Sequence, residues 1–123
     1  PNIELYESSA EKLSDQFNES VDAIVTETFL GQPRNGKETE LDLKNELEKL
    51  TKLYIPSLRT IHKLLKKNKK AVIAFPAYCH GNQTFFTNFE KEIKNIGFTV
   101  ENRWLYKRSG QYVARDIMLL KRL

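Results

Sequence analysis

Cysteine is nearly absent from this chain: Cys79 is the only one in 123 residues. A single thiol excludes an internal disulfide, and Cys79-His80 alone falls short of a metal-ligand set, so no metal site is expected. This cysteine usage suits a reducing cytoplasm. Long hydrophobic runs are missing too. No stretch approaches the roughly 20 apolar residues of a membrane span, so no membrane partner is expected. The N-terminus, Pro1-Asn2-Ile3-Glu4, lacks the basic-then-apolar order of a secretory signal, and a first residue other than methionine suits a processed or cut chain. Glycine is scarce, five in all, and the five never cluster.

What is present is one small domain's worth of core, with 40% apolar residues. The formal charge is +4, and its basic excess is uneven. Lys63, Lys66, Lys67, Lys69 and Lys70 form one cluster, while Arg103, Lys107, Arg108, Arg115, Lys121 and Arg122 crowd the C-terminal third. This distribution fits a polyanion partner and equally fits a solvated helix end with ordinary surface lysines.

Hydrophobic periodicity gives the elements. Ile3 to Tyr6 alternates as a short strand, and Ser8 or Ser9 can cap a helix over residues 10–17 that buries Leu13 and Phe17. Residues 21–26 are almost continuously apolar and β-branched, as in a strand buried on both faces. A loop over 31–36 leads to a long helical region at 38–67, with Leu43, Leu47, Leu50, Tyr54, Leu58, Ile61 and Leu65 on one stripe. Pro56 is expected to kink or split it. Residues 71–75 read as a second buried strand followed by Pro76, 84–96 as a helix ended by Gly97, and 98–106 and 112–120 as an antiparallel pair of strands. On the last strand Gln111, Val113, Arg115 and Ile117 share one face, and Tyr112, Ala114, Asp116 and Met118 share the other. The order is α/β with an antiparallel finish.

Two segments carry a resemblance. Val21-Asp22-Ala23-Ile24-Val25-Thr26-Glu27-Thr28-Phe29-Leu30-Gly31 resembles the catalytic strand D-A-I-V-T-D-P-P-Y-G of amino-directed, S-adenosylmethionine-dependent methyltransferases. The ending Trp104-Leu105-Tyr106-Lys107-Arg108-Ser109-Gly110-Gln111-Tyr112-Val113-Ala114-Arg115-Asp116-Ile117 resembles the Y-x-R-x-x-Q-x-V-x-R-x-I pattern of an RNA methylase family that includes tRNA guanine-N2 methyltransferases associated with THUMP domains. The resemblance implies the C-terminal portion of a Rossmann-like class I methyltransferase sheet, third to seventh strands, mostly parallel with a C-terminal antiparallel hairpin, across residues 1–123. The glycine-rich S-adenosylmethionine-binding turn of that fold is absent from the chain. The cofactor site is therefore expected to be incomplete and the isolated chain inactive, with an upstream segment or a second subunit supplying the rest.

In that family the acidic-Pro-Pro-aromatic turn holds the target amine, and its aromatic stacks on the target base. Carried across, Glu27 takes the acidic position, Thr28 and Phe29 the proline positions, Leu30 the aromatic position, and Gly31 matches. Losing both prolines is expected to leave the turn less rigid. Ser9-Ala10 stands where the family has Asp-Ala beside the adenine ring, although Ser9 also suits a helix cap. Pro76, Tyr78 and His80 follow the next strand on the same carboxyl edge and are placed to shape or touch a substrate. Arg108, Gln111 and Arg115 suit phosphate contact, packing, or an ion pair with Asp116.

The function implied is N-methylation of an exocyclic amine of a nucleobase, most naturally in RNA such as tRNA. Two alternatives stand beside it: a DNA amino-methyltransferase, and a degenerate, non-catalytic domain that binds RNA or protein. A sheet cut before its first two strands exposes an edge and an apolar face, so a homo-oligomer is also expected.

Overall fold

The computed structural model describes residues 2–13 and 17–123. Five strands form one mixed sheet: β1 (Val21–Glu27), β2 (Leu65–His80), β3 (Gln83–Phe86), β4 (Phe98–Tyr106) and β5 (Val113–Arg122). Two α-helices, α1 (Glu40–Leu64) and α2 (Glu90–Ile96), complete it. The sheet order is β1-β2-β5-β4, with β3 pairing β2 beyond the end of β1. β1 and β2 are parallel, joined by the α1 crossover, whereas β5 runs antiparallel to both β2 and β4.

The leucine stripe is core, as its period requires. Leu43, Leu47, Leu50, Tyr54 and Leu58 of α1 are buried with Ala71, Ile73 and Phe75 of β2 and Met118 and Leu120 of β5. Phe75 joins the two helices on this face, with ring centroids 5.5 Å from Tyr54 and 5.1 Å from Phe89. The α1 N-terminus is fixed by a capping box: the Asp42 amide donates to Thr39 Oγ1 at 3.1 Å, and the Thr39 amide to Asp42 Oδ2 at 3.0 Å. α1 runs unbroken through Pro56 rather than splitting. Pro56 lies on the exposed side, where water can satisfy the carbonyl one turn earlier.

Several expectations are corrected. Residues 3–6 pair with no strand among the described residues, and Ile3 and Leu5 stay exposed. A single 3-10 turn at Ala10–Lys12 replaces the start of the expected helix, of which residues 14–16 lie outside the described part. β2 extends to His80, so Pro76 lies inside it. The proline is tolerated for a topological reason. Cys79 donates to Tyr112 O of the segment entering β5, so alternate residues including Pro76 turn their nitrogens the other way. There Pro76 meets the gap between Glu27, paired with Ala74, and Phe86, paired with Ala77. Residues 83–86 form a strand rather than the first turn of a helix. Gly81, at φ 60°, and Asn82 make the two-residue turn of a hairpin between His80 and Gln83.

Candidate functional site

The carboxyl end of β1 is where a parallel sheet presents ligand-binding groups. Glu27 is the last residue of β1, with its carboxylate half exposed. Arg115 on β5 reaches across β2 to it, Nε to Oε2 at 2.9 Å. The two segments that carried the resemblance thus meet at this ion pair. Arg115 engages one carboxylate oxygen and leaves Oε1 without a protein donor among the described residues.

The turn that follows is tied down residue by residue. The amide and hydroxyl of Thr28 both donate to Ala74 O, at 3.0 and 3.1 Å. Tyr54 Oη of α1 donates to Phe29 O, and Tyr78 Oη of β2 donates to Leu30 O at 2.8 Å. Gly31 has φ 89°, and a Cβ there would lie 2.2 Å from Tyr78 Oη, so glycine is required on both counts. Two phenols and a threonine thus hydrogen-bond the backbone around the positions where the resembled motif has two prolines. Burial pushes both phenols up to about 12 and keeps them protonated donors. Neither tyrosine is legible in this role from the sequence. Tyr54 shows there only as a member of the core stripe. Tyr78, expected to touch substrate, is fully buried and supports the turn from beneath instead.

Beside the turn lies a cavity of about 320 Å³. Thr26, Glu27, Thr28 and Phe29 form one wall, Leu53, Tyr54, Ser57 and Ile61 of α1 another, and Ala10 the rim. Phe29 and Leu53 expose much of their side chains here. Ser9 makes no side-chain cap to the turn after it, which corrects the capping expectation. Leu30 is half buried, with its carbonyl taken by Tyr78, so Phe29 is the exposed aromatic of the turn.

Other expected residues lie elsewhere. Pro76 is buried within β2, opposite Arg115 in the β2–β5 register. His80 ends β2 at the hairpin turn, paired with Gln83 and with its ring centroid 6.5 Å from that of Phe85. Arg108 lies in the β4–β5 connection with its guanidinium 5.8 Å from the Tyr106 ring centroid. Asp116 pairs with neither Arg108 nor Arg115. It is 1% exposed and takes both forks of Arg103, Nε–Oδ1 at 2.8 Å and Nη2–Oδ2 at 2.6 Å. Arg103 also bridges to Glu90 of α2, which makes this a structural tie between α2 and the sheet. The described residues contain no cluster of three metal-ligating side chains, and no helix among them is long and apolar enough to cross a membrane.

Comparison with solved structures places this arrangement. PvuII DNA methyltransferase, cytosine-N4-specific, superposes with a TM-score of 0.64 at 12% identity over 94% of this chain. The fold is that of a class I methyltransferase. TTHA0409 of Thermus thermophilus, assigned as a DNA modification methylase, gives a TM-score of 0.58 at 16% identity over 94% of the chain. TrmN from Thermus thermophilus gives 0.54 at 21% identity over 96%. The chain spans only 48% of PvuII, 51% of TTHA0409 and 28% of TrmN, and its parallel pair with an antiparallel finish is a C-terminal portion of the sheet. No family model matches the sequence, and no curated protein matches it.

Proposed function

We propose that the chain is the target-facing part of an S-adenosylmethionine-dependent methyltransferase that acts on an exocyclic amine of a nucleobase in RNA. The observation that carries this reading is the clamped turn at residues 27–31, with a free carboxylate oxygen on Glu27 and an exposed Phe29 above the cavity. Support for the cofactor comes from TTHA0409, which has been solved in complex with S-adenosyl-L-methionine and superposes with a TM-score of 0.56.

The residues present fit one wall of such a cofactor site. The cavity of about 320 Å³ offers apolar surface from Ala10, Leu53 and Ile61 to an adenosyl group, and polar groups from Thr26 and Ser57. Ser9 immediately precedes Ala10 in the chain, and its hydroxyl makes no cap hydrogen bond. The glycine-rich turn that would complete the site comes from an upstream segment or a second subunit. The outer edge of β1, which pairs with no strand among the described residues, and the sheet face on which Val25 is 80% exposed are the surfaces such a segment or subunit would cover.

S-adenosylmethionine supplies an already activated methyl sulfonium, so the protein's task is positioning. Glu27 Oε1 accepts a hydrogen bond from the target amine and orients its lone pair, while Arg115 holds the other oxygen and fixes the carboxylate plane. Phe29 packs against the base. Gly31 lets the chain turn closely beneath it.

The test is transfer of tritiated methyl to RNA by the protein together with whatever completes its cofactor site, followed by digestion to nucleosides. Label on an exocyclic nitrogen, abolished by Glu27→Ala, is the expected result. Label that persists in Glu27→Ala, or that lies on a ring carbon or a ribose oxygen, overturns the reading.

A further inference from the structure

The lysine cluster does not lie at the candidate site. Between the pairs Val21↔Leu65 and Ala23↔Lys70 the chain takes two steps along β1 and five along β2, so residues 66–69 bulge from the sheet. Asn68 sits at φ 65° at its crest, and residues 66–70 are all exposed. This is the amino edge of the parallel pair. Lys70 aligns with Ala23 and Ala74 with Glu27, which puts the bulge about 13 Å or more from the Glu27 carboxylate at ordinary strand rise.

The charge here is concentrated and only partly neutralised. Lys66 pairs with Asp22 at 3.0 Å, Lys70 with Glu101 at 3.1 Å, and Arg122 with Glu19 at 3.3 Å. Lys63, Lys67, Lys69 and Lys121 have no acidic partner among the described residues. Among the described residues, seven cations thus face three paired carboxylates. Lys70 and Lys121 also stand directly opposite each other across β2 and β5. Opposed like charges on neighbouring strands destabilise a sheet, and Glu101 offsets only Lys70 of this pair.

We infer that this amino edge is a phosphate-binding surface for the RNA backbone, separate from the base-binding turn. The inference rests on the nucleic-acid reading of the Glu27 edge and deepens it: the strand is held at one edge of the sheet while a base is presented at the other. Lysine suits this task as a sequence-blind point charge, since phosphate contacts position a nucleic acid without reading it. The bulge projects Lys67 and Lys69 clear of the sheet, where a backbone can reach both.

Fluorescence anisotropy with a short labelled single-stranded RNA tests it, with no cofactor present. The triple variant Lys63→Ala, Lys67→Ala, Lys69→Ala should lower affinity about 100-fold at 0.1 M salt and make the slope of log affinity against log salt shallower by about 2. The matched triple Lys37→Ala, Lys49→Ala, Lys91→Ala, equal in charge but away from this edge, should change neither. No saturable binding by the unsubstituted chain, equal losses in the two triples, or equal competition by polyglutamate would overturn the inference. Loss of methyl transfer with intact, lysine-dependent RNA binding would instead count against the catalytic reading alone.

Discussion

Arg115 of β5 holds Glu27 of β1 across the intervening strand, Nε to Oε2 at 2.9 Å, joining two residues 88 positions apart. Both side chains are partly exposed, so the pair contributes only about 0–1 kcal/mol to stability. Its consequence is orientation of the carboxylate. Arg115→Ala should therefore leave the melting temperature nearly unchanged and lower methyl transfer roughly 10- to 100-fold, the cost of a misplaced positioning group. The loss should fall in kcat with KM for RNA held, and Arg115→Lys should restore part of it. Equal loss of RNA binding would assign Arg115 to phosphate contact instead.

The tyrosine clamp makes a stability prediction. Tyr78→Phe leaves the Leu30 carbonyl without its donor, and Tyr54→Phe does the same for Phe29 O; each should cost about 1–3 kcal/mol in chemical denaturation. The pH dependence has a defined sign. Both phenols are pushed up to about 12 in the folded chain, above the usual value of 10. Their contribution is full below pH 10 and is lost as pH rises toward 12. The two phenylalanine variants should flatten the alkaline limb of the stability profile in that window.

The Arg103–Asp116 pair predicts the largest single loss away from the site. Asp116 is 1% exposed and paired to both forks of Arg103. Arg103→Ala leaves a buried carboxylate without its cation, which costs about 3–5 kcal/mol. Urea unfolding measures it. The double variant Arg103→Met, Asp116→Leu should recover much of the loss, since no charge is then left buried.

His62 sets an acid limb. It packs edge-on against Phe98, with Gly97 beside its ring and Arg122 and Glu19 nearby. Burial first, and then Arg122, lowers its pKa below the usual 6.5. Stability from neutral His62 is complete above pH 6.5 and falls as pH drops through the lowered native value, because the unfolded chain takes the proton first. Thermal melts between pH 7 and 5 should show a decline that His62→Gln reduces.

Much of this architecture is legible in the residues. The leucine stripe of α1 and the alternation of β5 each state their buried face through period alone, whereas the β-branched run of β1 suggests burial on both faces and the strand instead lies at the end of the sheet order, largely exposed. The β2–β3 hairpin is obscured because Phe85, Phe89, Ile93 and Ile96 fit a helical period, although Gly81-Asn82 is a two-residue turn signal. The tyrosine clamp has no local signature. Tyr54 and Tyr78 lie 25 and 48 positions from the carbonyls they meet, and only the packing of α1 and β2 brings them there. The Glu27–Arg115 contact is likewise invisible in sequence, although both motifs can be read separately.

The carboxyl edge at Glu27 is proposed to face the cofactor. Titration of S-adenosylmethionine into the isotope-labelled chain, followed by amide chemical shifts, tests it most directly, because even weak binding to part of a site is detected. Saturable shifts are expected at Thr26, Glu27, Thr28 and Phe29 and at Leu53, Ser57 and Ile61 of α1. An absence of shifts up to millimolar cofactor, or shifts gathered around Arg103 and Asp116 instead, would contradict it.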